Sequence, residues 1–148
     1  MGLRQALDEI QKSALAAVDP YRAVLNLLHR EQDHLNIDGH HYPLSDRPVI
    51  LAGVGKAAVP MAQAVESVLG DQLVKGMVIV KYGHVASLQK TIVLEGAHPE
   101  PDQAGCKAAQ KLLAFVEDNL NPEALLLVVI SGGGSALLPV PVEEITFE

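Results

Sequence analysis

The chain of 148 residues is 49% hydrophobic and 20% charged, a balance that belongs to globular proteins and excludes a disordered or fibrous chain. Its net charge of −7, without any lysine- or arginine-rich run, argues against nucleic acid or an acidic membrane surface as partner, so any anion site must be local. The segment from Met1 to Glu9 lacks the apolar core of a signal peptide and no stretch reaches the length of a membrane span, so the expected location is the cytoplasm.

Leu3, Leu7, Ile10, Ala14, Ala17, Tyr21, Val24 and Leu28 recur at spacings of three and four, which predicts helix with one apolar stripe. Asp19-Pro20 reads as an N-cap followed by the first helical position and divides this region into helices over 3–18 and 20–30. The stripe is expected to pack on the sheet of its own domain, with a homodimer seam as the alternative. Residues 31–47 are polar and turn-forming, and read as a connector with a short hairpin around Asp38-Gly39. His40 and His41 are adjacent and so point apart, His29 and His34 read as surface residues, and no third ligand stands at a useful spacing. No metal site is expected.

Beyond the connector, strand and helix patterns alternate: strand 48–53, helix 56–69, strands 76–82 and 91–95, helix 102–119 and strand 125–130. The fold class this predicts is α/β, a Rossmann-like three-layer parallel sheet with N-terminal helices: a helical segment over 1–30, the connector over 31–47 and βα units over 48–148. Leu125–Ile130 is apolar throughout and suits a central strand buried on both faces. Cys106 falls in the pattern of the long helix beside Ala108 and Ala109 and reads as a small packing residue. Chemistry is expected at the carboxyl ends of the strands.

Three segments lie at such ends. Val49-Ile-Leu-Ala-Gly53-Val-Gly55-Lys56-Ala-Ala58 runs from a buried strand through two glycines into a lysine at the start of a helix. A cation there is disfavoured by a few tenths to about 1 kcal/mol, and an anion shared by the glycine backbone and the ammonium would reverse the sign. Pointing into solvent from a tight turn is the other reading of Lys56. The segment is not a Walker A loop, because Ile50 and Ala57 stand where glycine and a hydroxyl residue are required. It does fit the dinucleotide fingerprint as Gly53, Gly55 and Ala58, but the next strand ends Val80-Lys81-Tyr82 without the carboxylate that would hold a ribose. Ser131-Gly132-Gly133-Gly134-Ser135 follows the last strand and enters a helix start at Ala136, an arrangement suited to an anion-binding nest with hydroxyls at its rim, or else to a flexible connector. Between them, Glu95-Gly-Ala-His98-Pro99-Glu100-Pro101-Asp102 forms a proline-stiffened turn in which Asp102 is a candidate cap. His98 is there to meet a substrate hydroxyl, to carry a proton near neutral pH, or only to brace the turn. Lys81-Tyr82-Gly83-His84 reads as support, with Lys81 a further candidate anion contact.

Taken in this order, the Gly-Lys-Ala-Ala turn, the His-Pro-x-Pro-Asp turn and the Ser-Gly-Gly-Gly-Ser loop resemble the N-terminal domain of the class II glycerate kinases. The resemblance covers nearly the whole chain. It implies ATP-dependent phosphorylation of D-glycerate, normally with Mg²⁺, in a cytoplasmic enzyme of two α/β domains, with Lys56 an active-site lysine and Ser131–Ser135 part of the phosphate or substrate site. Whether Lys56 meets the glycerate carboxylate or a phosphate stays open. Chains of that family are substantially longer, so the sequence reads as an incomplete domain lacking the second one. Two other functions are set against the kinase: a hydroxypyruvate reductase using NAD(P), a label often carried by homologues of this family, and a non-catalytic phosphate- or sugar-phosphate-binding module.

Overall fold

The computed structural model of the chain describes residues 2–142 and residue 145. Helix α1 (Leu3–Ala17) stops before Asp19, whose carboxylate accepts the Arg22 amide at 2.8 Å and opens α2 (Pro20–Leu27). The break falls at Pro20, which lacks an N–H but is tolerated in a first turn. The stripe of α1 does not pack on the sheet: Leu3 is 79% and Ile10 65% exposed, and the helix buries no residue. The sheet face it would cover is already occupied by side chains from residues 58–69, by Val24 of α2 and by Leu28 and Leu35 just after it.

The helix expected to reach residue 30 ends at Leu27, because Leu28 turns extended with φ −110° and ψ 115°. In place of a connector, β1 (Leu28–Glu31), β2 (His34–Ile37) and β3 (His40–Pro43) form an antiparallel meander. The hairpin at Asp38-Gly39 is present, both residues having positive φ. The other turn, at Gln32, carries no glycine to announce it, and of these short strands' residues only Leu28 and Leu35 are buried, too few to give a period.

The main sheet is parallel, in the order β6 (Thr91–Gly96), β5 (Leu73–Lys81), β4 (Val49–Val54), β7 (Leu125–Ile130). Successive residues of β4 face opposite layers. Val49 and Leu51 meet α3 (Ala58–Leu69), while Ile50 and Ala52 meet α4 (Gln103–Asn119), so two cores lie on either side of one sheet and the three-layer α/β arrangement holds. The strand buried along its whole length is β4, not β7. Among the described residues β7 is an edge strand, with Val128 50% and Ile130 68% exposed. An all-apolar run reports two apolar surroundings, but strand order is set by crossovers, and α4 carries the chain from one edge past β5 and β4 to the far side.

Residues 82–90 join the parallel strands β5 and β6 without a helix, and Glu66 on α3 secures them. Its carboxylate accepts the Gln89 and Lys90 amides, both at 2.9 Å, and the hydroxyl of buried Thr91 at 2.7 Å. Burial alone would raise the Glu66 pKa, but these hydrogen bonds outweigh it and hold the group below its ordinary value.

Candidate active site

Strand order reverses between β4 and β7, and in open α/β sheets a crevice forms at the carboxyl ends where that happens. Here the two strand ends are tied together. The Ser131 amide donates to Val54 O at 3.0 Å, Ser131 Oγ accepts the Ala57 amide at 2.9 Å, and Gly132 O accepts the Lys56 amide at 3.1 Å. Gly55 donates to Ile79 O at 3.0 Å and Ala58 to Gly55 O at 3.1 Å. Every amide from Gly55 to Ala58 therefore has a protein partner, and the start of α3 is capped by the glycine-rich loop instead of standing open to an anion.

The two glycines of the first motif make room for this. Gly55 has φ +125°, and a Cβ there would come within 2.5 Å of Ser131 O as well as against its Oγ. A Cβ on Gly53 would press on Val78 and Val129 within the sheet. Both are positions of close approach, buried behind the site.

The open surface lies one loop further. Gly133 takes φ +95° and precedes the short helix α5 (Gly134–Leu137). A Cβ on Gly133 would sit 2.8 Å from His98 Cδ2, 2.9 Å from His98 Nε2 and 3.4 Å from Lys56 Cε. Residues from three different strand ends thus converge on one point: Lys56 after β4, His98 after β6 and Gly133 after β7. The Gly132 and Gly133 amides meet no acceptor among the described residues. An open depression of about 450 Å³ lies beside this loop, lined by Val54, Ile130, Ser131, Gly132, Gly133, Gly134, Ser135 and Leu138. Lys56 and Ser135 are exposed, while His98 is half-buried. Chemically this groups one lysine, one imidazole and a loop with unengaged backbone N–H groups, the kind of arrangement that can receive an anion.

Asp102 is the cap expected of it, accepting the Gly105 amide at 2.7 Å at the start of α4. It also accepts the Tyr82 hydroxyl at 2.6 Å. That hydrogen bond lowers the Asp102 pKa and raises that of Tyr82. The sequence pointed only to general support from the Tyr82 segment, and the usable signal was a hydroxyl-bearing aromatic just past a strand's carboxyl end. Lys81 closes β5, half-buried, and Gly96, not Lys56 or Gly133, is its partner across the sheet. Among the described residues no group of His, Cys, Asp and Glu could hold a metal ion, and no helix is long and apolar enough to cross a membrane.

A family model described as a domain of unknown function, DUF4147, matches residues 6–148. The chain belongs to this family. Among DUF4147-like sequences, a protein of Thermotoga maritima named D-glycerate 2-kinase is 38% identical over 147 residues, covering 99% of this chain and 32% of that protein. A protein of Agrobacterium vitis that carries a hydroxypyruvate reductase name is 36% identical over 146 residues, covering 97% and 30%. The crystal structure of a Pyrococcus horikoshii protein superposes with a TM-score of 0.85 at 33% identity, covering 99% of this chain and 33% of that one. The chain therefore spans about a third of the length of the relatives it matches. The kinase name fits the motif resemblance, and the parallel α/β fold is shared with the solved structure.

Proposed function

We propose that the chain forms one wall of the active site of a D-glycerate kinase, which transfers the terminal phosphoryl group of ATP to a glycerate hydroxyl. The observation that carries this reading is the meeting of Lys56, His98 and Gly133 at one point, on a loop whose Gly132 and Gly133 amides have no acceptor among the described residues. Phosphoryl transfer needs little covalent help from a protein and depends on positioning and on compensating charge on the phosphoryl oxygens. In this reading Lys56 neutralises an anionic group of the reacting pair, the Gly132–Ser135 backbone and hydroxyl hold phosphate or carboxylate oxygens, and His98 orients the acceptor hydroxyl. Ser131 acts from behind, as the cap that fixes Lys56 relative to the loop, and Gly53 and Gly55 serve by leaving space. Among the described residues no group of three or more His, Cys, Asp and Glu forms a metal cage, and Mg²⁺, which is commonly held by one or two carboxylates and the phosphates themselves, is given no step here. In this reading the remaining wall, and the closure that would exclude water, correspond to the part of its relatives' length that the chain does not span. Cytoplasmic location follows from the nucleotide substrate, and pairing of two copies remains part of the reading through the uncovered stripe of α1.

The reductase alternative is disfavoured by the same geometry. A dinucleotide pyrophosphate would need the amides at the start of α3, and those are engaged by Ser131 and Gly132. The test is to express the chain within its full reading frame and supply D-glycerate with ATP, and separately hydroxypyruvate with NADH. Formation of ADP with no oxidation of NADH is expected; the converse would replace this reading with the reductase. Nucleotide binding without turnover of either pair would favour a non-catalytic module.

A further inference from the structure

Tyr82 holds both feet of the turn that carries His98. Its amide donates to Gly96 O at 3.2 Å just before the turn, and its hydroxyl donates to Asp102 Oδ2 at 2.6 Å just after it. Asp102 Oδ1 then closes the base of the turn by accepting the Ala97 amide at 3.3 Å while it caps α4. Below the turn the backbones touch, so that a Cβ on Gly96 would lie 3.0 Å from Gly105 Cα, and Glu95 Oε1 accepts the Gly83 amide at 2.8 Å, fixing the residue after Tyr82. The cap itself needs only Oδ1. What the hydroxyl adds is a second hold on the carboxylate, which fixes its plane so that one oxygen can serve both the Ala97 and Gly105 amides. The Tyr82 ring is 46% exposed, so burial does not explain its place.

We infer that Tyr82 and Asp102 are positioning residues that set the His98 imidazole against Gly133, facing Lys56. This rests on the reading that His98 takes part in the proposed transfer. Rotation of the turn by even a small amount would carry the ring away from the loop, because the ring is held by its own backbone and by contact with Gly133, with no side-chain partner among the described residues. Loss of the hydroxyl should therefore act on orientation, and so on kcat more than on KM.

The experiment compares wild type, Tyr82→Phe and Asp102→Asn in the full reading frame. It records the nuclear Overhauser contact between the His98 ring and the Gly133 α-protons, amide exchange of α4, and the kinetics of D-glycerate phosphorylation. Tyr82→Phe removes one exposed hydroxyl and leaves the cap, so α4 should stay protected while the His98–Gly133 contact weakens and kcat falls by about tenfold with KM within about twofold. Asp102→Asn keeps an acceptor for both amides and can still meet the Tyr82 hydroxyl, so the contact should be retained. A Tyr82→Phe protein with the wild-type contact and kcat would overturn the proposal, as would loss of the contact in Asp102→Asn alone. Because the ring contact is read without turnover, its loss in Tyr82→Phe alongside a wild type that phosphorylates no glycerate would sustain the positioning role and reject the kinase reading.

Discussion

Ser131 Oγ accepts the amide hydrogen of Ala57 at 2.9 Å, so the loop that follows β7 caps the helix that begins just after Lys56. Two strand ends are locked into one unit by this bond and by the Lys56 amide on Gly132 O. Ser131→Ala should lower the unfolding free energy by about 1 kcal/mol, the usual loss for a helix cap. Gly55→Ala should cost more, about 3 kcal/mol, because its Cβ must displace Ser131 and because alanine disfavours the φ of +125° that Gly55 adopts. Urea unfolding of both variants checks the order; equal stability of Gly55→Ala and wild type would mean that the two strand ends are not in contact.

Glu66 predicts an acid-dependent loss of stability. Its folded-state pKa lies below the ordinary 4.5, so its stabilisation is complete above that value and disappears as pH falls through the lower one. The thermal midpoint of wild type should therefore fall as pH drops below the ordinary carboxylate value of 4.5, and Glu66→Gln should lower the neutral-pH midpoint and flatten that dependence. Parallel curves for the two proteins would place the acid sensitivity elsewhere.

Gly133→Val tests the loop. The branched side chain would collide with the His98 ring and Lys56 and would force valine into positive φ. Calorimetric affinity for nucleotide or glycerate should drop at least about tenfold, some 1.4 kcal/mol. Unchanged affinity would show that the loop only connects β7 to α5.

The edge of β7 and the stripe of α1 predict association. Val128 and Ile130 stand exposed on a strand that is at the sheet's edge among the described residues, and Leu3, Leu7 and Ile10 stand exposed on α1. Unpaired apolar edges invite pairing with another chain. The 148-residue chain should sediment as more than a monomer, and Val128→Lys should reduce that; a monodisperse wild-type monomer would show that these surfaces do not attract one another.

Much of the fold was legible because it rests on local chemistry: Asp19-Pro20 and Asp102 announce helix starts, and the 3.6-residue and buried-strand periods mark α3, α4 and the parallel strands. The meander was hidden because the turn at Gln32 lacks glycine and the short strands bury little. The edge position of β7 and the detachment of α1 were hidden because both depend on what lies beside an element, which periodicity does not encode. Of the strand ends to which the sequence pointed, those carrying Lys56, His98 and Gly133 come together. It could not distinguish the glycines of the open loop from Gly53 and Gly55, whose absent side chains accommodate Val129 and Ser131, since that distinction depends on the register between β4 and β7.

The central claim is that Lys56 supplies charge to phosphoryl transfer, and it is tested most directly by measuring transfer from ATP to D-glycerate in wild type and Lys56→Ala within the same full reading frame. Lys56 is exposed and its side chain packs no core, so thermal unfolding should be unchanged while kcat/KM falls by at least about a hundredfold, some 2.7 kcal/mol of transition-state stabilisation. Activity of Lys56→Ala within a few-fold of wild type would contradict the account and leave Lys56 a solvent-facing residue of a tight turn.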